Sequence, residues 1–241
     1  MQAPRQRRDP GSAVLPPRWA LIAGALAAAA VVAVVVVVLV TRGSGSSLPL
    51  EPTSTLGQLT AAPSGGSVGP EGVPIPSVES LAPAGALELG QTVDGITCEP
   101  IEQLAYHIHV HLTIFVGGAQ RLVPYGIGIA PPRQLDKTSA GDFVTSGGCF
   151  AWLHTHASDG VIHIESPTEK TYTLGDFFDI WHETLGPSQV GPAHGRVVAF
   201  YNGKYYTRNP RTIPLDKHAQ IQLDVGTPLV APEHISFPSG L

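Results

Sequence analysis

Six of the ten histidines lie in two short runs, residues 105–112 and 153–165, in which histidine alternates with mostly apolar residues. A β-strand turns successive side chains to opposite faces. His107, His109 and His111 therefore share one face of a predicted strand, and the apolar residues between them share the other. An apolar face that packs on a core leaves the imidazole face free to converge on a metal ion, because neutral imidazole is the commonest metal ligand.

The second run predicts a β-hairpin. The Asp-Gly pair at 159–160 is typical of a two-residue hairpin turn. With that turn, His156 lies directly opposite His163, and His154 lies opposite Glu165. Opposed residues have Cβ atoms about 4.5–5.5 Å apart, so each pair is close enough to reach one ion.

The two runs together predict one transition-metal site. On a straight strand His107 and His111 are about 13 Å apart at Cα, too far to share an ion, so the site should take histidines from both runs. Imidazole with a carboxylate suits zinc, copper, iron or manganese, and copper or zinc is the expected ion. The candidate ligands are His107, His109, His111, His154, His156, His163 and Glu165.

An apolar N-terminal segment predicts a membrane anchor. Residues 19–40 carry no charge and span about 33 Å as a helix. Arginines precede this segment, which predicts a single-pass signal anchor at 19–41 with residues 1–18 in the cytoplasm and the rest of the chain extracytoplasmic. The alternative is a cleaved signal peptide, with Arg7-Arg8 as a hint of a twin-arginine signal.

Composition divides the remainder of the chain into two parts. Residues 42–93 are rich in Pro, Gly and Ser, and such a stretch is predicted to be a flexible, disordered linker. Residues 94–241 make one globular domain of ordinary size. The net charge of −5 excludes a strongly basic nucleic-acid surface, and no feature identifies a protein partner.

The two cysteines, Cys98 and Cys149, predict a disulfide if the domain lies outside the cytoplasm. Closing a loop of that length stabilises a fold by about 4 kcal/mol in the chain-entropy model. The alternative is that Cys149 is a thiolate ligand of the metal.

The expected fold class is α+β, a mostly antiparallel sheet with one packed helix, either β-grasp-like or a small barrel, preceded by the transmembrane helix and the disordered linker. Thr173 can cap the helix with Asp176 three residues on, and Gly186-Pro187 should stop it. Further strands are predicted at 197–201 and 219–225.

A partial resemblance to the cupin family begins at Gly148, followed by His154 and His156 at the spacing of the first cupin motif. In that family two histidines and a glutamate bind a metal inside a small barrel. The chain departs from the motif at Gly160 and Val161, where the family has its glutamate.

A closer resemblance covers most of the predicted domain. The segments 106–112, 153–156, 163–167 and 173–178 are similar to an uncharacterised group of bacterial extracytoplasmic His-rich domains. This resemblance implies a shared fold and a shared histidine site, and it implies no activity.

Three functions fit these observations. The first is a membrane-anchored, extracytoplasmic metal-binding domain. The second is a metalloenzyme that uses the same ligands, with Glu165 as general base if it is not a ligand. The third is a metal-free interaction module of the cell envelope, in which the histidine face contacts a partner.

Overall fold

The computed structural model describes residues 48–241, which form a mostly β structure with one α-helix. Two short 3₁₀ helices lie at Thr53–Leu56 and Pro210–Thr212. The helix is α1 (Leu174–Trp181), and the strands are β1 (Leu50–Glu51), β2 (Ser67–Val68), β3 (Pro74–Ile75), β4 (Thr92–Val93), β5 (Ile96–Glu99), β6 (Tyr106–Val116), β7 (Ala119–Arg121), β8 (Gln134–Thr138), β9 (Gly141–Ser146), β10 (Phe150–Ala151), β11 (Leu153–His154), β12 (Val161–Ser166), β13 (Leu185–Gly186), β14 (Gln189–Val190), β15 (Ala193–His194), β16 (Val197–Tyr201), β17 (Lys204–Tyr206) and β18 (Gln220–Val225).

The main sheet is mixed, with the order β1-β17-β16-β18-β6-β12-β11, and β7 also pairs with β6. The longest strand, β6, lies inside the sheet. Its first half pairs antiparallel with β12, and its second half pairs parallel with β18 on the other side. The histidine-bearing strands β6, β12 and β11 are therefore neighbours in one sheet.

The alternation in β6 separates a core face from a histidine face, as predicted. Ile108, Val110, Leu112 and Ile114 are buried in the main hydrophobic core, which also holds most of the apolar side chains of α1. The histidines of the strand lie on the opposite face because side chains alternate along it. The core thus fixes the strand that presents the ligands.

Helix α1 begins where the sequence predicts and ends earlier. Thr173 forms a capping box with Asp176, which satisfies two backbone N–H groups at the start. The helix ends at Trp181, and the next residue, His182, has a left-handed backbone with φ of 62°. Glu183 N–H then donates to Phe178 O, a bond typical of helix C-termini, so the predicted stop at 186–187 lies beyond the end.

The expected fold class is corrected in the part that precedes the sheet. No helix within residues 48–241 is long and apolar enough to cross a membrane, and the predicted span at 19–41 lies outside the described residues. The disordered linker is wrong for residues 48–93, which form β1 to β4 and belong to the same compact unit as the main sheet. Residues 48–241 are therefore mostly β with one helix, and residues 48–93 belong to that structure.

The segment 48–93 is held by the domain on which it lies. Leu50 pairs with Tyr206 of β17, and Leu81 N–H donates to Leu122 O. Trp181 Nε1–H donates to Pro83 O at 2.7 Å. A proline-rich chain has too few apolar residues for a core of its own, but it can extend a core supplied by other elements.

Candidate metal centre

Strand register places one histidine from each of three neighbouring strands in a row. His163 of β12 is opposite His109 of β6, and on its other side it is opposite His154 of β11. Glu165 is opposite His107 in the same ladder. The two histidine runs of the sequence thus meet on one face of the sheet.

The predicted hairpin register is wrong. His154 pairs with His163 rather than with Glu165, and His156 lies beyond the end of β11. The difference is two residues, and a shift of two leaves every side chain on its predicted face. The predicted ligands therefore still share a face although their cross-strand partners differ.

The register differs because β11 ends at His154, earlier than a two-residue turn at 159–160 requires. Thr155 Oγ1 donates to Pro124 O at 2.8 Å and accepts from Ile127 N–H, so residue 155 pairs with another segment. Asp159 Oδ1 then accepts from Val161 N–H at 3.0 Å. The connection is a longer loop in which Asp159 bonds locally to the backbone, as aspartates in turns commonly do.

His154 and His156 face each other through unprotonated nitrogens. Nδ1–H of His154 donates to Ala151 O at 2.8 Å, and Nδ1–H of His156 donates to Val144 O at 2.6 Å. A carbonyl oxygen only accepts, so the ring proton of each neutral imidazole is on Nδ1 and its Nε2 carries a lone pair. The two Nε2 atoms are 3.0 Å apart.

That distance fits a shared ion. Nitrogens that each lie about 2.0–2.1 Å from one ion are about 3 Å apart, and an Nδ1–H donated to a backbone carbonyl is the usual support of a metal-bound imidazole. Without a cation, two lone pairs would face each other in a buried site. The pair is therefore built to receive a positive ion.

A second pair, His107 and His109, has the same spacing, with Nε2 atoms 3.0 Å apart. His107 Nε2 is also 3.0 Å from Glu165 Oε1. The His107 side chain is 37% exposed, whereas the Glu165 side chain is only 3% exposed. This pair connects the buried part of the site to the surface.

Burial keeps most of these rings neutral. Desolvation lowers the pKa of His109 to about 3, with the neighbouring His163 and His107 adding to the effect. Burial likewise lowers the pKa of His154 and of His156, and the neighbouring His163 lowers both further. Neutral imidazole is the form that binds metals.

His163 is the exception and lies between two carboxylates. Burial alone would lower the pKa of His163, but hydrogen bonds to Glu165 and Glu71 outweigh burial and raise it to about 9. His163 Nδ1 is 3.3 Å from Glu165 Oε1, and Nε2 is 2.6 Å from Glu71 Oε1. In the metal-free protein the resulting imidazolium offsets the charge of the two buried carboxylates, and an ion bound at His163 would displace its proton.

Glu165 has one oxygen without a hydrogen bond. Its Oε2 is buried and has no hydrogen-bond partner, and it lies 3.8 Å from His154 Nε2. A buried carboxylate oxygen without a donor is costly, so it usually has a cation or water nearby. The unpaired Oε2 therefore favours the binding of a cation beside Glu165.

His111 is not part of the cluster. Its Nε2–H donates to Asp159 O at 2.8 Å, and its Nδ1 is 3.4 Å from Thr113 Oγ1. Burial lowers the pKa of His111 to about 4, so the ring is neutral. With both nitrogens engaged, it supports the 155–160 loop and lies outside both groups of candidate ligands.

The site contains two carboxylates that sequence reasoning missed. Glu71 comes from the predicted linker, and Glu102 Oε1 lies 3.5 Å from His156 Nε2. Burial raises the pKa of Glu102, and the nearby Glu165 raises it further. No sequence signal marked either residue, because neither lies on a strand with alternating histidines.

Cys98 and Cys149 are joined in a disulfide, as predicted, so the thiolate alternative for Cys149 is wrong. The bond joins Cys98 of β5 to Cys149, which directly precedes β10, and Ala151 of β10 is opposite Cys98. It holds the segment that carries Glu102 beside the strand that leads to His154. The disulfide thus helps to assemble the site without contributing a ligand.

Among residues 48–241, two overlapping groups of side chains could hold a metal ion. In each, the ligand atoms lie within 4.8 Å of one another. The first is His154, His156, His163 and Glu165, and the second is His107, His109 and His163.

Comparisons of the chain with models of protein families, with curated proteins and with solved structures found no match.

Proposed function

We propose that this chain is a metal-binding protein that holds a transition-metal ion at His154, His156, His163 and Glu165. The facing Nε2 atoms of His154 and His156 carry the proposal. Both Nδ1 protons are committed to backbone carbonyls, so neither Nε2 can donate to the other, and a cation between the two Nε2 atoms satisfies both lone pairs.

The ligand chemistry supports copper or zinc. Both cysteines are in a disulfide, and Met1 is the only methionine, so thiolate and thioether ligands are excluded. Imidazole with one carboxylate suits Zn(II) and Cu(II), and Fe(II) and Mn(II) use the same donors.

The disulfide supports an extracytoplasmic location. Stable disulfides persist in oxidising compartments and are rare in the cytosol. We therefore place the metal site outside the cytoplasm, where an ion would be captured from the envelope or the medium.

The test is the metal content of the full-length chain. After treatment with a chelator, the protein is equilibrated with Zn(II) and, separately, with Cu(II), and bound metal is measured by mass spectrometry. The wild type should retain metal and gain thermal stability. His154→Ala with His156→Ala should lose the ion at this pair.

His182→Asn with His194→Ala is the matched control, because both histidines are exposed and remote in sequence from the cluster. Asparagine at 182 tolerates the left-handed backbone of that position. The control should bind as the wild type does. A wild type that binds neither ion, or a His154/His156 variant with wild-type binding, would overturn the proposal.

A further inference from the structure

Glu165 lies between two histidine pairs of equal spacing. Its Oε1 is 3.0 Å from His107 Nε2, and its Oε2 is 3.8 Å from His154 Nε2. The His107–His109 and His154–His156 pairs each have an Nε2–Nε2 distance of 3.0 Å. One carboxylate thus presents one oxygen to each pair.

His163 occupies the same middle position. Its ring centroid is 4.5 Å from that of His109 and 4.6 Å from that of His156, and its ring is nearly perpendicular to both. It is the one residue common to both groups of candidate ligands among the described residues. The site is therefore nearly symmetric about Glu165 and His163.

We propose that the site is dinuclear, with one ion at His154 and His156, a second at His107 and His109, and the carboxylate of Glu165 bridging them. His163, whose proton the ions would displace, supplies a nitrogen at the boundary between them. This inference rests on the proposed function and extends it from one ion to two.

The chemistry of the carboxylate supports a bridge. Paired metal ions in proteins lie about 3.5–4 Å apart, a separation that one carboxylate spans with an oxygen on each ion. The orphaned Oε2 of Glu165 would gain a cation on one side, while Oε1 would serve the other pair. A single ion at His154 and His156 would leave the Nε2 atoms of His107 and His109 and the nearby Oε1 of Glu165 without an ion, although these three atoms converge.

Charge supports the same conclusion. Glu71, Glu102 and Glu165 place three carboxylates around the histidine cluster. Two of them, Glu71 and Glu165, are buried, and clustered carboxylates repel one another unless cations lie among them, a role that the protonated His163 has in the metal-free protein. Two divalent ions would offset that repulsion more fully than one.

The first test is stoichiometry. The full-length wild type should bind two Zn(II) ions per chain in equilibrium dialysis. His107→Ala with His109→Ala should bind one, His154→Ala with His156→Ala should also bind one, and the His182→Asn/His194→Ala control should bind two. Circular dichroism of each metal-free variant verifies the fold.

The outcomes separate this inference from the proposed function. One ion per wild-type chain, unchanged in the His107/His109 variant, would overturn the dinuclear site and leave the proposed function standing. No bound ion would overturn both. Two ions in both the wild type and the His107/His109 variant would place the second ion elsewhere and also overturn the dinuclear site.

The second test is decided by the wild type, so its outcome does not depend on any variant folding. Two Cu(II) ions bridged by one carboxylate should couple magnetically, and the integrated electron paramagnetic resonance signal should fall well below the total copper. Glu165→Gln removes the bridging carboxylate and should restore the signal per copper. A wild-type signal that accounts for all bound copper would overturn the bridge.

Discussion

Glu71 Oε1 lies 2.6 Å from His163 Nε2, although 92 residues separate them in the chain. Glu71 follows β2 in the tip of the β2–β3 hairpin, inside the segment that composition predicts to be disordered. Its side chain is only 5% exposed. The segment 48–93 therefore covers the histidine cluster and contributes a charge to it.

Glu71→Gln should destabilise the metal-free protein by about 2 kcal/mol, because a buried charge-assisted hydrogen bond is lost. The measurement is urea unfolding of chelator-treated protein. Glu79→Gln is the matched control, since Glu79 lies in the same segment and is exposed. Equal midpoints for the Glu71 variant and the wild type would show that the contact does not stabilise the fold.

His111→Ala should lower stability and leave metal stoichiometry unchanged. The substitution removes the bond to Asp159 O and leaves that buried carbonyl without its side-chain donor, at a cost of about 1–3 kcal/mol. The free energy of unfolding and the bound Zn(II) are measured on the same samples. Loss of one ion, with the fold intact by circular dichroism, would show that His111 is a ligand after all.

Removing the disulfide by Cys98→Ser with Cys149→Ser should destabilise the protein by about 4 kcal/mol, because the bond closes a loop with a sequence separation of 51 residues. Urea unfolding with and without a reductant gives the measurement. The reductant should shift the wild type toward the double variant and have no effect on the variant itself. A wild type that keeps its midpoint after complete reduction would contradict this estimate.

Local patterns in the sequence were sufficient to predict much of the site. Strand alternation identified the faces of β6 and β12, and the capping box at Thr173 fixed the start of α1. Even the wrong hairpin register kept His154 and His156 on the right face, since the error was two residues. Periodicity reports the face of a side chain and not its cross-strand partner.

The order of residues 48–93 and the added carboxylates of the site depend on contacts between distant parts of the chain. Residues 48–93 are ordered by hydrogen bonds to later parts of the chain, such as Leu50 with Tyr206 and Leu81 with Leu122. Composition measures what a segment can bury by itself, so it could not reveal a core supplied by the domain. Glu71 was missed for the same reason, and Glu102 was missed because it lies outside the strands with alternating histidines.

Asp224 predicts a pH dependence that is independent of the metal site. It is 1% exposed in β18, where Val230 N–H donates to its Oδ2 at 3.2 Å. Burial raises the pKa of Asp224 to about 7, an effect that the hydrogen bonds from Val230 and Gln222 only partly oppose. The native state therefore holds a proton on Asp224 between about pH 4 and pH 7, where the unfolded state has released it.

Because the native state binds more protons in that window, the contribution of Asp224 to stability falls as pH rises from about 4 to 7. Asp224→Asn has no carboxyl to titrate, so it should equal the wild type near pH 4 and exceed it at pH 8. Urea unfolding of both proteins across this range isolates Asp224, because every other titrating group is common to the two. Asp136→Asn, at an exposed position in β8, controls for the loss of one carboxylate. A difference between the Asp224 variant and the wild type that stays constant from pH 4 to pH 8 would show that Asp224 is ionised throughout, and that its hydrogen bonds outweigh its burial.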